Sequence, residues 1–218
     1  MRQLTTIFLL IFGIFALTLQ PSYSAIKGGV DYSIPIYYDK LSESELQDKA
    51  KVYFYNAMRL QDGIVDEDMT QALNLYTILQ NVNPENIEYS VNLGRLYEKI
   101  GKDRYAKGNF SRAIGIDSSR PEPYFYFGEY YYNKTSYRKA LKYYNRAYES
   151  GYESNYDLLY KMGDIYEKLG DSRSALKYLK DAEKQSPNPE LSEKIKRVEA
   201  ENAVNNEYNR NTRIRNAG

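Results

Sequence analysis

Carboxylates and tyrosines are the abundant side chains in this sequence that could take part in acid–base chemistry. The 218 residues include 29 Asp and Glu and 25 Tyr, but no His and no Cys. The missing types are the commonest general acid–base, the thiol nucleophile and the usual zinc ligands. A pair of carboxylates can hydrolyse a glycosidic bond, but the two acids must then flank one cleft. The acids here are spread along predicted helix surfaces, so we expect no enzyme activity, no cofactor and no metal site.

The first 24 residues have the layout of a secretory signal peptide. Arg2 supplies a positive start, and residues 4–19 form an apolar run. Small residues then precede a predicted cleavage after Ser24 or Ala25. The apolar run is shorter than the ~20 residues of a membrane-spanning helix, so we expect cleavage and export to the periplasm or the medium. An uncleaved signal that anchors the chain in the membrane is the alternative.

The charges of the remaining chain balance. Residues 1–24 contain one basic residue and no acidic one, which leaves equal numbers of the two signs from totals of 30 and 29. A nucleic-acid-binding protein usually has a strong basic excess, so we expect no nucleic acid partner. Without Cys there is neither a disulfide framework nor a lipid-modified N-terminal cysteine. We therefore expect no stable membrane insertion after cleavage.

A pattern of small and aromatic residues returns at a nearly constant interval. Gly94, Gly128 and Gly163 are 34 and 35 residues apart. A period of this length is typical of stacked helical-repeat arrays. The same steps separate the members of two further series, Tyr97, Tyr131 and Tyr166, and Ala72, Ala106, Ala140 and Ala175.

These residues resemble the tetratricopeptide repeat over about residues 50–189. The resemblance implies an all-α, right-handed superhelical solenoid of antiparallel helix pairs, with about four repeat units and a C-terminal capping helix. In each unit the glycine and the alanine would lie where the two helices cross. The first unit fits least well, because Ala57 replaces the glycine and the acidic turn at 62–68 is longer than the family pattern.

The chain divides into five predicted segments. Ser42 and Glu45 form a capping box that would open the first helix, and Leu191, Ile195 and Val198 have helical spacing beyond the repeats. The segments are a signal peptide at 1–24, an extended segment at 25–41, a solenoid at 42–189, a capping helix at 190–207 and a disordered basic tail at 208–218.

The resemblance also indicates a ligand site, since the first helices of tetratricopeptide arrays line a concave groove. The two later units combine aromatic rings with carboxylates there. Such a surface suits an extended segment that carries basic beside apolar side chains. The alternative is that the acids only keep the groove hydrated. Register relative to the glycine places nine residues on this face: Val91, Arg95, Glu122, Phe125, Glu129, Tyr132, Asp157, Tyr160 and Asp164.

The repeats and the signal-peptide pattern together favour a non-enzymatic, exported adaptor or scaffold, and the resemblance implies that it binds a protein or peptide through this groove. A second hypothesis is a structural subunit of a cell-envelope complex that uses the convex face or the segment at 25–41. A third is carbohydrate binding by exposed tyrosines. Light scattering separates the first two, because a lone adaptor should be a monomer. The sequence predicts neither the partner nor the oligomeric state.

We predict that the mature protein begins at Ala25 or Ile26, because the apolar run is too short to span a bilayer. N-terminal sequencing of the protein isolated from its native cells checks this prediction. A protein that retains Arg2 and stays in the membrane fraction would instead support the anchored alternative.

Overall fold

The computed structural model describes residues 26–27, 30–31, 38 and 40–216. The predicted signal peptide and most of the segment at 25–41 lie outside these residues. The chain divides into two compact units. The first contains the described residues up to Pro84 together with Lys99–Lys102, and the second contains Glu85–Glu98 and the residues from Asp103 onward.

The first unit is a helix pair preceded by a short antiparallel ladder. Strand β1 (Ile26–Lys27) pairs with β2 (Val30–Asp31). Helix α1 spans Glu43–Arg59 and helix α2 spans Glu67–Val82. Tyr38 is buried, and its hydroxyl lies 3.2 Å from Oε1 of Gln71, to which it donates a hydrogen bond.

The helix starts in this unit follow capping chemistry. The predicted capping box of α1 is confirmed, since the Ser42 amide donates to the Glu45 carboxylate at 2.8 Å and the Glu45 amide donates back to the Ser42 hydroxyl at 3.3 Å. The side chain of Asp66 accepts a hydrogen bond from the Met69 amide at 2.9 Å and caps α2. Each contact satisfies an amide that the first helical turn leaves without a partner.

The long acidic turn between α1 and α2 is tied to residues 99–102. Gly63, at φ 86°, donates its amide to the Lys99 carbonyl at 2.8 Å. The Lys99 ammonium lies 2.8 Å from the Asp62 carboxylate. A left-handed φ of this kind is adopted by glycine without a steric penalty. The extra residues of this turn therefore have a defined anchor.

The second unit contains three helix pairs and a terminal helix. The three pairs contain the repeated glycines Gly94, Gly128 and Gly163, one in each first helix. The all-α class and the solenoid of paired helices are thus confirmed. The elements are α3 (Ile87–Lys99), α4 (Asp103–Ile116), α5 (Pro121–Asn133), α6 (Tyr137–Ala147) followed by a π-helical turn (Tyr148–Tyr152), α7 (Tyr156–Lys168), α8 (Ser172–Gln185) and α9 (Pro189–Asn216).

The repeated glycine marks the closest approach of the two helices in each pair. A Cβ atom on Gly94 would lie 2.6 Å from Cε1 of Phe110, and one on Gly163 would lie 2.7 Å from Cδ2 of Leu179. At Gly128 the added atom would overlap an aromatic ring of α6. A larger residue at any of these positions would force the two helices apart, which explains the period found in the sequence.

The turns within the three pairs all use a left-handed residue. Gly101 and Gly170 have φ 72° and 79°. At the corresponding place in the middle pair, Thr135 has φ 52°. Glycine reaches this conformation freely, whereas a β-branched residue does so rarely. The middle turn is therefore the strained one of the three.

The terminal helix is longer than the sequence predicted. Leu191, Ile195 and Val198 are buried against α8, as expected of a capping helix. The helix then continues to Asn216, so the predicted end at 207 and the disordered tail at 208–218 are corrected for the described residues. No Pro or Gly follows Pro189 before the final residue, and without such a stop signal the helix propagates. Among the described residues, no helix is long and apolar enough to cross a membrane.

We predict that Gly94→Ala lowers the free energy of unfolding by about 1–3 kcal/mol, because its methyl group would overlap the buried Phe110 ring. The matched control is Gly108→Ala on the neighbouring helix, where an added Cβ meets nothing within 4 Å. That change should stabilise by roughly 0.5–1 kcal/mol through helix propensity. Urea denaturation measures both, and equal effects would contradict the close-crossing interpretation.

Candidate functional site

The nine predicted groove residues lie on the first helices of the three pairs in the second unit. The structure does not bring them together as one surface. It separates them into an open cleft, an ion-paired cluster and three flanking residues. The cleft contains Val91, Arg95 and Glu122, the cluster contains Glu129, Tyr132 and Asp164, and the flanking residues are Phe125, Asp157 and Tyr160.

The open cleft has a volume of about 620 Å³ and lies between α3 and α5. Val91 is a buried apolar part of its wall. The Arg95 guanidinium lies 4.3 Å from the centroid of the Tyr126 ring, a cation–π distance. These contacts hold a cation and an aromatic ring at the cleft wall in a fixed arrangement.

A second arginine forms the other side of the cleft. Arg120 meets the Glu122 carboxylate with two donors, Nη2 at 2.9 Å and Nε at 3.2 Å. Partial burial raises the pKa of Glu122, but the hydrogen bonds from Arg120 outweigh this and hold it below its ordinary value. The cleft is therefore lined by both signs of charge.

Asn92 is the cleft residue that sequence analysis missed. It is only 8% exposed, it lines the cleft, and its amide forms no hydrogen bond with the described residues. Because Asn92 faces the open cleft, its amide is available to hydrogen-bond with a ligand that enters there. The available signal was an Asn between Val91 and Leu93, two apolar residues of one helix.

The ion-paired cluster is centred on Asp164, which is 5% exposed. Its carboxylate accepts a hydrogen bond from the Tyr132 hydroxyl at 2.7 Å and lies 2.9 Å from Lys168 Nζ. Lys194 Nζ, from the terminal helix, lies 2.6 Å away. Burial raises the pKa of Asp164, but the hydrogen bonds from Lys168, Lys194 and Tyr132 more than offset it and lower it to about 2.

Glu129 is likewise paired within the chain. The Tyr144 hydroxyl donates a hydrogen bond to it, and Lys161 Nζ lies 3.3 Å from its carboxylate. The same ammonium lies 4.0 Å from the centroid of the Tyr132 ring. The cation–π and charge contacts that the sequence suggested for a basic ligand are thus made here by the protein's own lysine.

The terminal helix supplies cations that sequence reasoning did not place. Besides Asp164, Lys194 Nζ lies 2.9 Å from Glu167, and Arg197 lies 2.8 Å from the same carboxylate. Lys194 also lies 5.2 Å from the centroid of the Tyr160 ring. The repeat period ends before this helix, so no register indicated which of its residues would face α7.

The remaining two predicted residues have different surroundings. Phe125 is half-buried, and its ring centroid lies 6.0 Å from that of Tyr144 and 5.8 Å from that of Tyr152. Asp157 is exposed and forms no ion pair with the described residues. Among all the residues that the structure describes, no group of three or more His, Cys, Asp or Glu side chains is placed to hold a metal ion.

We predict that Asp164 contributes about 2 kcal/mol to stability at neutral pH, from the difference between its folded pKa of about 2 and the ordinary value of 3.8. Because the folded pKa is depressed, the contribution is complete above pH 4 and disappears as the pH falls from about 4 to 2. Unfolding of Asp164→Asn at a series of pH values checks this.

The variant should be less stable at pH 7, and its deficit should shrink toward pH 2. Asp157→Asn, on the same helix but exposed, is the control and should change stability by at most ~0.5 kcal/mol. An Asp164→Asn deficit that stays constant from pH 7 to pH 2 would contradict the ion-pair interpretation.

Comparison with known proteins identifies the repeat. Residues 156–189 match the family model described as Tetratricopeptide repeat. No curated protein sequence matches the chain. Among solved structures, a crystal structure of MamA protein is similar to this chain, with a TM-score of 0.59 at 18% identity, over 76% of this chain and 85% of that one.

Two further structures share the fold. The pilF protein of Pseudomonas aeruginosa has a TM-score of 0.59 at 12% identity, over 73% of this chain and 72% of that one. PilW, described as a widely conserved type IV pilus biogenesis factor, has a TM-score of 0.59 at 17% identity, over 72% of this chain and 69% of that one. At these identities the likeness concerns the fold alone. Residues 156–189 thus match a tetratricopeptide repeat, and the same glycine contact recurs in three successive helix pairs.

Proposed function

We propose that this protein is a non-enzymatic adaptor that binds an extended protein segment in the cleft between α3 and α5. The observation that carries the proposal is Asn92, a largely buried side chain that lines the cleft and whose amide forms no hydrogen bond with the described residues. Extended segments expose backbone N–H and C=O groups, and a side-chain amide can satisfy one of each. Peptide backbone is therefore the ligand chemistry that suits this position.

The rest of the cleft would select side chains. Val91 and the Tyr126 ring offer apolar contact, and the mixed charges of Arg95 and Glu122 favour a ligand with both polar and apolar groups. A volume of about 620 Å³ accommodates a few residues of a peptide. The cluster around Asp164 would then stiffen the neighbouring repeat rather than bind a basic ligand, because lysines of the chain occupy it.

Export remains part of the proposal and rests on the pattern of residues 1–24. PilW is described as a pilus biogenesis factor, and its fold supports by analogy a role in the assembly of other proteins. We propose that this chain acts in such an assembly outside the cytoplasm. The cleft between α3 and α5 would recruit the partner.

We predict that Asn92→Ala weakens peptide binding about tenfold, the loss of one buried hydrogen bond to a ligand. Peptides selected from a displayed random library on the full chain would be titrated against wild type and variant by fluorescence anisotropy. Because the amide makes no hydrogen bond in the described chain, its removal should change the free energy of unfolding by less than about 1 kcal/mol.

The matched control is Lys107→Gln, an exposed change on a second helix, which should bind the peptides like wild type. Selected peptides that bind Asn92→Ala and wild type equally would place the ligand elsewhere. A library that yields no binder to the wild-type chain would count against an exposed peptide cleft altogether.

A further inference from the structure

The second helices of the three pairs in the second unit are strongly basic on their exposed side. Only three acidic residues, Asp103, Asp181 and Glu183, occur in these helices. We call the exposed basic residues of α4, α6 and α8 the basic face, and all of them lie at exposed positions. They are Arg104, Lys107, Arg112, Arg138, Lys139, Lys142, Arg146, Arg173, Lys177, Lys180 and Lys184.

The basic face is aligned by the repeat. Arg104, Arg138 and Arg173 recur at steps of 34 and 35 residues, so they occupy the same position in each second helix. The three helices lie side by side, since Ile114 of α4 and Tyr178 of α8 pack on one cluster with Leu141 of α6. The charges therefore form one array rather than three separate patches.

Most of the acids lie on the other helices of the pairs. The first helices contain four basic residues, Arg95, Lys99, Lys161 and Lys168, against seven acids. The near-neutral total charge thus conceals a separation of signs between the two sets of helices. The acids are Glu88, Glu98, Glu122, Glu129, Asp157, Asp164 and Glu167.

Few charges of the basic face are neutralised within the chain. Lys180 pairs with Glu199 at 2.6 Å, Lys184 pairs with Asp181 at 2.7 Å, and Arg146 pairs with Glu149 at 3.2 Å. By contrast, Arg138, Lys142 and Arg173 form no ion pair with the described residues. The face therefore has an unbalanced positive potential, which attracts anions over about one Debye length, ~8–10 Å at physiological salt.

Tyrosine rings accompany the cations. The Tyr143 ring stacks on Tyr131 with centroids 5.4 Å apart, and Tyr178 stacks on Tyr166 at 5.5 Å. All four rings are partly exposed. Lys177 Nζ lies 4.7 Å from the centroid of Tyr178. Amphipathic rings beside lysines are the combination found at the interface between membrane and water.

We propose that the basic face binds the surface of a membrane that contains anionic lipids. This is a peripheral contact through headgroups, independent of the peptide cleft on the first helices. Each Lys or Arg near an anionic bilayer contributes to binding, and several acting together suffice without an inserted helix. The cleft would then stay accessible while the protein is held at a membrane.

Two other occupants fit the observations less well. A second copy of this chain would have to offer an acidic surface, but Glu129 and Asp164, the central acids of the first helices, are already paired with lysines. A nucleic acid strand contacts a protein along a narrow line. These cations instead extend over three helices, a width of roughly 20 Å if neighbouring helix axes lie 8–10 Å apart. A planar anionic surface meets the whole array at once.

The test uses the full chain and two kinds of vesicle, phosphatidylcholine alone and phosphatidylcholine mixed with phosphatidylglycerol. The apolar run at 4–19 can bind both kinds of vesicle. The partition constant for anionic vesicles divided by that for neutral vesicles therefore reports the part of the binding that depends on lipid charge. The triple variant Arg138→Gln, Lys142→Gln, Arg173→Gln should lower this ratio about a hundredfold, at about fivefold per cation. Circular dichroism confirms that the variant remains folded.

The control is Lys40→Gln, Lys49→Gln, Lys51→Gln, which removes the same charge from exposed positions of the first unit. It should keep a ratio within about threefold of wild type, and high salt should abolish the preference for anionic vesicles. Equal losses in both triple variants, or no preference of wild type for the anionic vesicles, would overturn the proposal. So would tighter binding of a DNA oligonucleotide that depends on the same three residues.

Discussion

The close crossing of two helices at a glycine is the constraint on which the second unit depends. Gly94 and Gly163 each leave room for a large side chain of the partner helix, Phe110 or Leu179, which is then fully buried. That contact sets the distance between the helices of a pair. It thereby places one set of helices on the cleft and turns the basic residues of the other set outward. Cleft and basic face are consequences of the same packing.

The period of the sequence was enough to predict the helix pairs, because steric demand at the crossing permits few residue types. The resemblance also placed Val91 and Arg95 correctly on one helix. It could not reveal the cleft at Asn92, since one polar residue in a helix carries no periodic signal. Nor could it indicate that Lys194 reaches Asp164, because the terminal helix follows no repeat and its contacts depend on tertiary packing.

The distribution of charge changes the interpretation of the groove. From sequence, the acids of α5 and α7 looked available to a basic ligand, but three lysines neutralise Glu129 and Asp164. Low exposure makes such pairs costly to break, since removal of one partner leaves a buried charge. Ligand recognition is therefore expected at the cleft, where the Asn92 amide retains unused hydrogen-bonding capacity. The paired acids serve instead to join α7 to the terminal helix.

The left-handed turn at Thr135 has a consequence for the way the array comes apart. A β-branched residue in that conformation costs about 1–2 kcal/mol that Gly101 and Gly170 do not incur. The middle pair also ends in a π-helical turn, with Gly151 at φ 121°. In a linear array of repeats, each repeat contacts only its neighbours, so the least stable repeat is the first to unfold locally. Local opening should therefore begin inside the second unit at α6, and amide hydrogen exchange would be fastest there.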